Sequence, residues 1–300
     1  MSHTPVSRSE CYAALVARRS VRHTIRGVEY HVSEWGKPKD PLLMMLHGFG
    51  DAGSTFQFLV DQLRHDWYVV APDWRGFGES RTRAESYWFP DYIADLEMLL
   101  SKYSPDLPAT LLGHSMGGNI ASLFAGIFPQ RVTQLVNVEG FGLADRDPRD
   151  APSNYRRWIE ASREGAAYRD YDSYAELAQR IVRQNPRTPM PIAEFVARQW
   201  AEKDGSGRVV IKADPAHKLP NAVLYRRSEA QACWEQLSAS VLFVLGAQSS
   251  FRSGAVPWLA TGSLPIPSAN VATLEDAGHM VHFEQPAALA ALVEQFLLPG

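Results

Sequence analysis

The sequence has few cysteines, no long apolar run and almost no excess of charge of either sign. Its two cysteines, Cys11 and Cys233, lie far apart and form no Cys-x-x-Cys pattern, so we expect free thiols in a reducing compartment. A net charge of −3 over 300 residues argues against a nucleic-acid partner. No apolar stretch is long enough for a membrane span or a signal peptide, which makes the cytoplasm the expected location.

Signals for metals and phosphate-bearing cofactors are also missing. No glycine-rich phosphate-binding loop follows the first strands of the chain, and no cluster of residues has the spacing of metal ligands. We therefore expect chemistry that is carried out by side chains, with no metal.

Short apolar runs alternate with helical patterns along a chain in which hydrophobic residues make up 45%. Because these runs are apolar on both faces, they predict an α/β fold, in which helices cover both sides of a mostly parallel sheet. The strand-like runs are residues 42–46, 67–71, 109–112, 132–138, 241–246 and 269–274, and the helical patterns are residues 91–103, 119–128 and 286–298.

The N-terminal part departs from this alternation. Residues 21–25 and 28–35 are β-like runs on either side of Arg26-Gly27 and predict a hairpin. Before them, Glu10 to Arg19 has the pattern of a short amphipathic helix.

The composition changes at Leu143. From there to residue 232 the chain is rich in Arg, Glu, Ala, Tyr and Trp, and strands no longer alternate with helices. We interpret residues 143–232 as a mainly helical cap, inserted between the two parts of a core domain at residues 1–142 and 233–300. Within the cap, helical patterns lie near residues 155–163, 171–184 and 192–203, and a β-like run covers residues 208–212.

The stretch Gly113-His114-Ser115-Met116-Gly117 stands between an apolar strand and a buried helix. Small residues two positions before and after Ser115 let the backbone crowd in a tight turn, which points the hydroxyl out of the sheet edge. The helix supplies backbone N–H groups and a positive dipole end where negative charge would develop. The pattern therefore predicts a nucleophilic serine.

His47, Asp73 and Glu139, like Ser115, come directly after predicted strands. In parallel sheets, ligands bind outside the carboxyl ends of the strands. We therefore expect these side chains to gather at one edge of the sheet.

Four motifs, taken together and in this order, resemble the motif set of the α/β-hydrolase superfamily. The resemblance covers nearly the whole chain outside the cap. It implies an α/β-hydrolase fold with an eight-stranded sheet, a cap after the sixth strand and no cofactor. The motifs are His47-Gly48-Phe49-Gly50, Asp73-x-Arg75-Gly76-x-Gly78-x-Ser80, Gly113-His114-Ser115-Met116-Gly117-Gly118 and Ala277-Gly278-His279.

The resemblance also assigns roles. A serine hydroxyl needs a base to become nucleophilic, and His279 follows a late strand, where the family carries its triad histidine. The oxyanion hole would consist of the backbone N–H groups of Met116 and Phe49. We expect His47 to support this loop through hydrogen bonds.

The loop motif after the fourth strand has a structural interpretation. We expect Asp73 and Arg75 to pair with each other or to form hydrogen bonds with the backbone of that loop.

The expected triad acid is missing from its usual place. The loop after the seventh strand reads Gly246-Ala247-Gln248-Ser249, with Ser249 where relatives carry an aspartate. Glu139 ends the sixth strand, where some α/β-hydrolases place their acid, and an unpaired glutamate is costly to bury. We therefore expect Glu139 to orient His279. The alternatives are a Ser115–His279 dyad aided by Gln248 or Ser249, or Asp276 as the acid.

These features predict a serine hydrolase that cleaves a carboxylic ester or thioester through an acyl-enzyme, with the acyl group held under the cap. A serine nucleophile argues against the haloalkane dehalogenases and epoxide hydrolases of this fold, which use aspartate at that position. The alternatives are a carbon–carbon hydrolase of diketones, a cofactor-free perhydrolase or haloperoxidase, and a non-catalytic protein that binds small molecules.

The expected partner is a small-molecule ester or thioester. Aromatic cap residues are candidates for an apolar acyl pocket. Cap arginines are candidates for binding an acidic head group or an acyl-carrier partner, namely Arg156, Arg157, Arg180, Arg183, Arg226 and Arg227.

Overall fold

The computed structural model describes residues 11–251, 266 and 269–298. Within these residues, eight strands form one sheet in the order β1-β2-β4-β3-β5-β6-β9-β10, and β7 and β8 form a separate pair. This is the α/β-hydrolase fold that the motifs imply. The strands are β1 (Arg19–Ile25), β2 (Val28–Trp35), β3 (Leu42–Leu46), β4 (Tyr68–Pro72), β5 (Ala109–His114), β6 (Val132–Val138), β7 (Ala201–Lys203), β8 (Val209–Ile211), β9 (Ser240–Gly246) and β10 (Ala269–Leu274).

The sheet is parallel from β4 to β10, while β2 runs antiparallel to both β1 and β4. Alternate side chains of the central strands enter different cores: Met44 and Leu46 pack on one face, and Leu43 and Met45 pack on the other. This two-sided burial explains why these strands are apolar throughout rather than alternating.

Helices cover both faces. The first face packs against α2, α3 and α7, and the second packs against α1, α8 and α9. None of the helices in the described ranges is long and apolar enough to cross a membrane. The helices are α1 (Gln57–Val60), α2 (Phe89–Tyr103), α3 (Met116–Ile127), α4 (Ala151–Glu164), α5 (Tyr174–Gln184), α6 (Met190–Trp200), α7 (Arg227–Trp234), α8 (Val281–Glu284) and α9 (Pro286–Leu297).

The segment between β6 and β9 contains α4, α5, α6 and the β7–β8 pair. Apolar residues of α5 and α6 pack together and onto Phe58 and Phe283, which come from the core side. The helix predicted over residues 192–203 ends at Trp200, because Ala201–Lys203 pairs with Val209–Ile211 instead. Helix α7 crosses the expected boundary between residues 232 and 233 and packs against the sheet's first face.

The amphipathic helix expected over residues 10–19 is wrong for its described part. Residues 11–18 have no helix, and the strand β1 already begins at Arg19. The carboxylate of Asp61 holds this segment by accepting hydrogen bonds from the Leu15 and Val16 amides and from the Tyr12 hydroxyl. Backbone N–H groups that bond to a distant carboxylate in this way are not available to a helical turn.

Candidate active site

Ser115 lies in a strained turn between β5 and α3, with φ 52° and ψ −113°. Glycine at position 117 is required for close packing, because a Cβ there would lie 2.1 Å from the carbonyl oxygen of Leu46. The amide of Ser115 donates to the Val138 carbonyl at 2.8 Å, which fixes the turn against β6. The sequence therefore places the serine at the end of the sheet in a conformation that L-residues rarely adopt.

The structure brings Ser115, His279 and Glu139 together in one hydrogen-bonded line. Nε2 of His279 lies 3.0 Å from Oγ of Ser115, and Nδ1 lies 3.0 Å from Oε2 of Glu139. The three residues come from the ends of β5, β10 and β6, so their meeting follows from the parallel arrangement of those strands. In this geometry the imidazole can accept the serine proton while the carboxylate orients the ring.

Glu139 is buried and held from several sides. It has a positive φ of 60°, and its Oε1 accepts the Gly246 amide at 2.7 Å. Its Oε2 accepts the hydroxyl of Ser249 as well as Nδ1 of His279. Of the two residues expected to aid a dyad, Ser249 donates to Glu139, and the backbone amide of Gln248 donates to the Ala277 carbonyl. The backbone carbonyl of Asp276, the alternative acid, accepts the side-chain amide of Gln285.

The two amides expected to form an oxyanion hole come from two segments that adjoin Ser115. Met116 is the first residue of α3, and Phe49 belongs to the loop after β3. That loop packs against the serine, since a Cβ on Gly48 would lie 3.2 Å from Cβ of Ser115. Within the described ranges, neither the Phe49 nor the Met116 amide donates a backbone hydrogen bond, so both are available for a ligand.

The side chain of His47 supports this loop through two hydrogen bonds. Its Nδ1 donates to the Gly48 carbonyl at 2.7 Å, and its Nε2 accepts the Trp74 amide at 2.8 Å. Burial lowers the pKa of His47, which favours the neutral imidazole that these two opposite roles require.

Asp73 and Arg75 do not pair with each other. Asp73 accepts the amides of Gly53 and Glu79, as expected for a loop-supporting carboxylate. Arg75 instead forms a two-pronged ion pair with the buried Asp95 of α2, with N–O distances of 2.5 and 2.6 Å. The sequence could not reveal that partner, because Asp95 resembles any other polar residue on an amphipathic helix.

A second network, formed by Asp51, His282 and His114, lies behind His279. His114 Nε2 donates to the His279 carbonyl at 2.8 Å, and His282 Nε2 donates to Asp51 Oδ2 at 3.2 Å. Trp200 of α6 donates to the other oxygen of Asp51 at 2.7 Å. Burial places the pKa of His114 well below its ordinary value.

Asp51, His114 and His282 are also the one group among the described residues that could hold a metal ion. Their ligand atoms all lie within 4.8 Å of one another. A metal there would displace the hydrogen bond between His282 and Asp51. The sequence did not suggest the group, because its members lie at positions 51, 114 and 282 and no local spacing connects them.

The turn at Asp214–Lys218 connects the segment after β8 to the core. Asp214 accepts the Ala84 amide and the Tyr87 hydroxyl, and its own amide donates to the Gly76 carbonyl. His217 stacks between Phe77 and Tyr87, with ring centroids 3.8 and 3.6 Å away. Burial lowers the pKa of His217 to about 4.

Comparisons with known proteins agree with this architecture. A serine hydrolase-like protein of Danio rerio is 26% identical over 279 residues, which are 88% of this chain and 84% of that protein. A 3-hydroxybutyrate-oligomer hydrolase of Cupriavidus necator is 28% identical over 293 residues, which are 89% of this chain and 92% of that protein.

Solved structures show the same fold. A thioesterase domain from the curacin biosynthetic pathway has a TM-score of 0.79 at 22% identity, covering 92% of this chain and 99% of its own. An esterase from Mycobacterium tuberculosis has a TM-score of 0.70 at 21% identity, covering 94% and 91%. A sequence model described as the alpha/beta hydrolase fold matches residues 41–286. The chain therefore belongs to the α/β-hydrolase family and is a hydrolase of that family.

Proposed function

We propose that the protein is a serine hydrolase of carboxylic esters or thioesters, with Ser115, His279 and Glu139 as its catalytic triad. The observation that carries this proposal is the unbroken line of hydrogen bonds from Ser115 Oγ through His279 to Glu139 Oε2. The similarity to serine hydrolase-like proteins over most of the chain supports the same assignment.

In the proposed reaction, Ser115 Oγ attacks the substrate carbonyl while His279 Nε2 takes its proton. The amides of Phe49 and Met116 would hold the oxyanion, helped by the positive end of α3. His279 then protonates the leaving alcohol or thiol, which departs and leaves an acyl group on Ser115. Water, deprotonated by His279, hydrolyses this acyl-enzyme and releases the acid.

Glu139 would stabilise the imidazolium that forms in both steps. It is buried and accepts hydrogen bonds from Gly246, Ser249 and His279, so its carboxylate stays in place while the charge on the ring changes. We assign the core to residues 1–142 and 233–300 and the cap to residues 143–232, with the acyl group beneath the cap.

Hydrolysis of a p-nitrophenyl ester series, from acetate to palmitate, tests the proposal directly. We expect turnover by the native protein and a loss of about 10³-fold or more for that series in Ser115→Ala. The preferred chain length would then measure the acyl pocket. Because one relative is named a 3-hydroxybutyrate-oligomer hydrolase, such oligomers belong in the same series. A well-folded native protein without turnover on any of these esters would contradict the proposal.

A further inference from the structure

Ser20, His31 and Asp73 repeat the connectivity of the triad at a separate place in the fold. The hydroxyl of Ser20 on β1 lies 2.5 Å from Nε2 of His31 on β2. Nδ1 of the same imidazole lies 2.9 Å from Oδ2 of Asp73, which follows β4. One ring thus joins a hydroxyl to a carboxylate through its two nitrogens, as His279 does between Ser115 and Glu139.

The carboxylate and the imidazole lie inside the fold, whereas the serine lies at its surface. Asp73 and His31 are buried, with 1% and 4% of their surface exposed, and Ser20 is exposed. Burial alone would raise the pKa of Asp73, but the hydrogen bond from His31 holds it below its usual range. An ionised Asp73 accepts Nδ1–H, which leaves Nε2 as the acceptor for the hydroxyl proton of Ser20.

The three side chains line a cavity of about 460 Å³, and its other lining residues within the described ranges are all polar as well. The cavity lies between the β1–β2–β4 edge of the sheet and the end of α6, which contributes Arg198 and Gln199. Besides Arg198, three lining residues carry a positive charge, namely Arg18, Arg22 and Lys212.

The positive charges exceed the negative charges that face the same space. Two carboxylates of the described residues line the cavity: Asp73 is hydrogen-bonded to His31, and Glu79 pairs with Lys212 at 2.7 Å. Arg18 donates to the neutral oxygens of Ser33 and Gln199. The guanidinium of Arg198 lies over the ring of Tyr174, 4.8 Å from its centroid. In the described part of the chain, neither Arg18 nor Arg198 forms an ion pair with a carboxylate. An anionic group is the ligand that this surplus favours.

We propose that Ser20, His31 and Asp73 form a second nucleophilic site, which acts on esters that carry an anionic group. Ser20 Oγ bonds to the ester carbon and gives its proton to His31 Nε2; the bond to the leaving alkoxide breaks, and that alkoxide takes the proton from His31. Water then adds to the acyl carbon with His31 as base, and the acid leaves from a regenerated Ser20 hydroxyl.

The two sites differ in how they would stabilise negative charge. Ser115 has a strained turn and a helix N-terminus behind it, whereas Ser20 lies within a regular strand and has neither. Charge in the second site would therefore be stabilised by arginine and lysine side chains. We therefore expect the site at Ser20 to prefer anionic esters over neutral ones, and we expect no such preference at Ser115.

The test uses the full chain with Ser115→Ala, so that activity at the first site is removed. Two acetyl esters that differ by one sulfonate, phenyl acetate and 4-acetoxybenzenesulfonate, report the charge preference. We expect Ser115→Ala to hydrolyse the sulfonated ester at least about tenfold faster than the neutral one. Adding Ser20→Ala should abolish this activity, whereas adding Thr24→Ala, at an exposed position on the same strand, should leave it unchanged.

Covalent labelling gives an independent readout. An alkyl fluorophosphonate, followed by peptide mass spectrometry, should modify Ser20 in Ser115→Ala and lose that modification at least about tenfold when His31→Gln is added. Should His31→Gln fail to fold, Arg198→Gln replaces it and should raise KM for the sulfonated ester with KM for phenyl acetate unchanged. Absence of both labelling and anionic-ester turnover at Ser20, in folded Ser115→Ala, would overturn the proposal. The assignment of Ser115 does not depend on that result.

Discussion

The hydroxyl of Ser249 donates to the same oxygen of Glu139 that accepts Nδ1 of His279. Ser249 occupies the loop position where the family motif led us to expect an aspartate. The loop at residues 246–249 thus contacts Glu139, although it carries no carboxylate itself. In our account, the triad acid is Glu139 at the end of β6, and Ser249 donates a hydrogen bond to it from the position where an aspartate was expected.

The first prediction concerns Glu139. Glu139→Gln keeps the shape of the side chain but removes the charge that would stabilise the imidazolium, so kcat should fall by about 10³- to 10⁴-fold. Circular dichroism and thermal unfolding should show a folded protein. Near-native kcat in a folded Glu139→Gln would remove this residue from the triad.

The second prediction uses the contact between Ser249 and Glu139. The double variant Glu139→Gln, Ser249→Asp places a carboxylate beside position 139, whose side chain faces Nδ1 of His279. At least about tenfold of the lost kcat should therefore be recovered. Ser249→Asn in the same background is the matched uncharged control and should recover nothing. Equal kcat values in the two double variants would show that position 249 cannot serve His279.

The third prediction concerns the turn that holds Ser115. In Gly117→Ala, the added methyl would meet the Leu46 carbonyl at 2.1 Å, so the free energy of unfolding should fall by about 3 kcal/mol. Gly205→Ala is the control, because a Cβ at that position meets nothing within 4 Å. Urea unfolding of both variants measures the difference, and equal stabilities would contradict the packing described for the turn.

The fourth prediction concerns pH and His217. Its folded pKa of about 4 lies below the value of a free histidine, so the unfolded chain binds the proton more strongly. The stability that neutral His217 contributes is present above the unfolded pKa and is lost as pH falls toward the folded one. Between pH 7 and pH 5 this loss amounts to about 2 kcal/mol.

His217→Phe retains an aromatic ring between Phe77 and Tyr87 but cannot take up a proton. Urea unfolding at pH 7 and pH 5 should therefore show a smaller loss of stability in His217→Phe than in the native protein. The remaining titratable groups are common to both proteins and cancel in the comparison. Identical losses would show that His217 titrates normally.

Much of the architecture could be predicted from sequence, because the central strands are buried on both faces. The run Leu42–Leu46 contains no polar residue, and residues 135–138 of the run Val132–Val138 are all buried. The structure gives both runs the expected bounds. The N-terminal segment could not be predicted, for the opposite reason. Its conformation depends on Asp61, a distant carboxylate that no local pattern reveals.

The candidate site follows the same division. Ser115 and His279 stand in local motifs, and Glu139 could be proposed because a carboxylate ends a strand next to the nucleophile strand. The contacts of Asp51, His114 and His282 could not be predicted, since they join a loop, the end of β5 and α8, and their residue types are common elsewhere. The link between Ser20, His31 and Asp73 depends in the same way on the pairing of β1, β2 and β4.

The central claim is that hydrolysis passes through an acyl group on Ser115. The most direct test mixes the protein rapidly with a slowly hydrolysed p-nitrophenyl ester, quenches it with acid and locates the acyl mass by peptide mass spectrometry. Our account predicts a burst of p-nitrophenol and an acyl group on the peptide that contains Ser115, both absent from Ser115→Ala. Turnover at a native rate with no acyl group on Ser115 would contradict it.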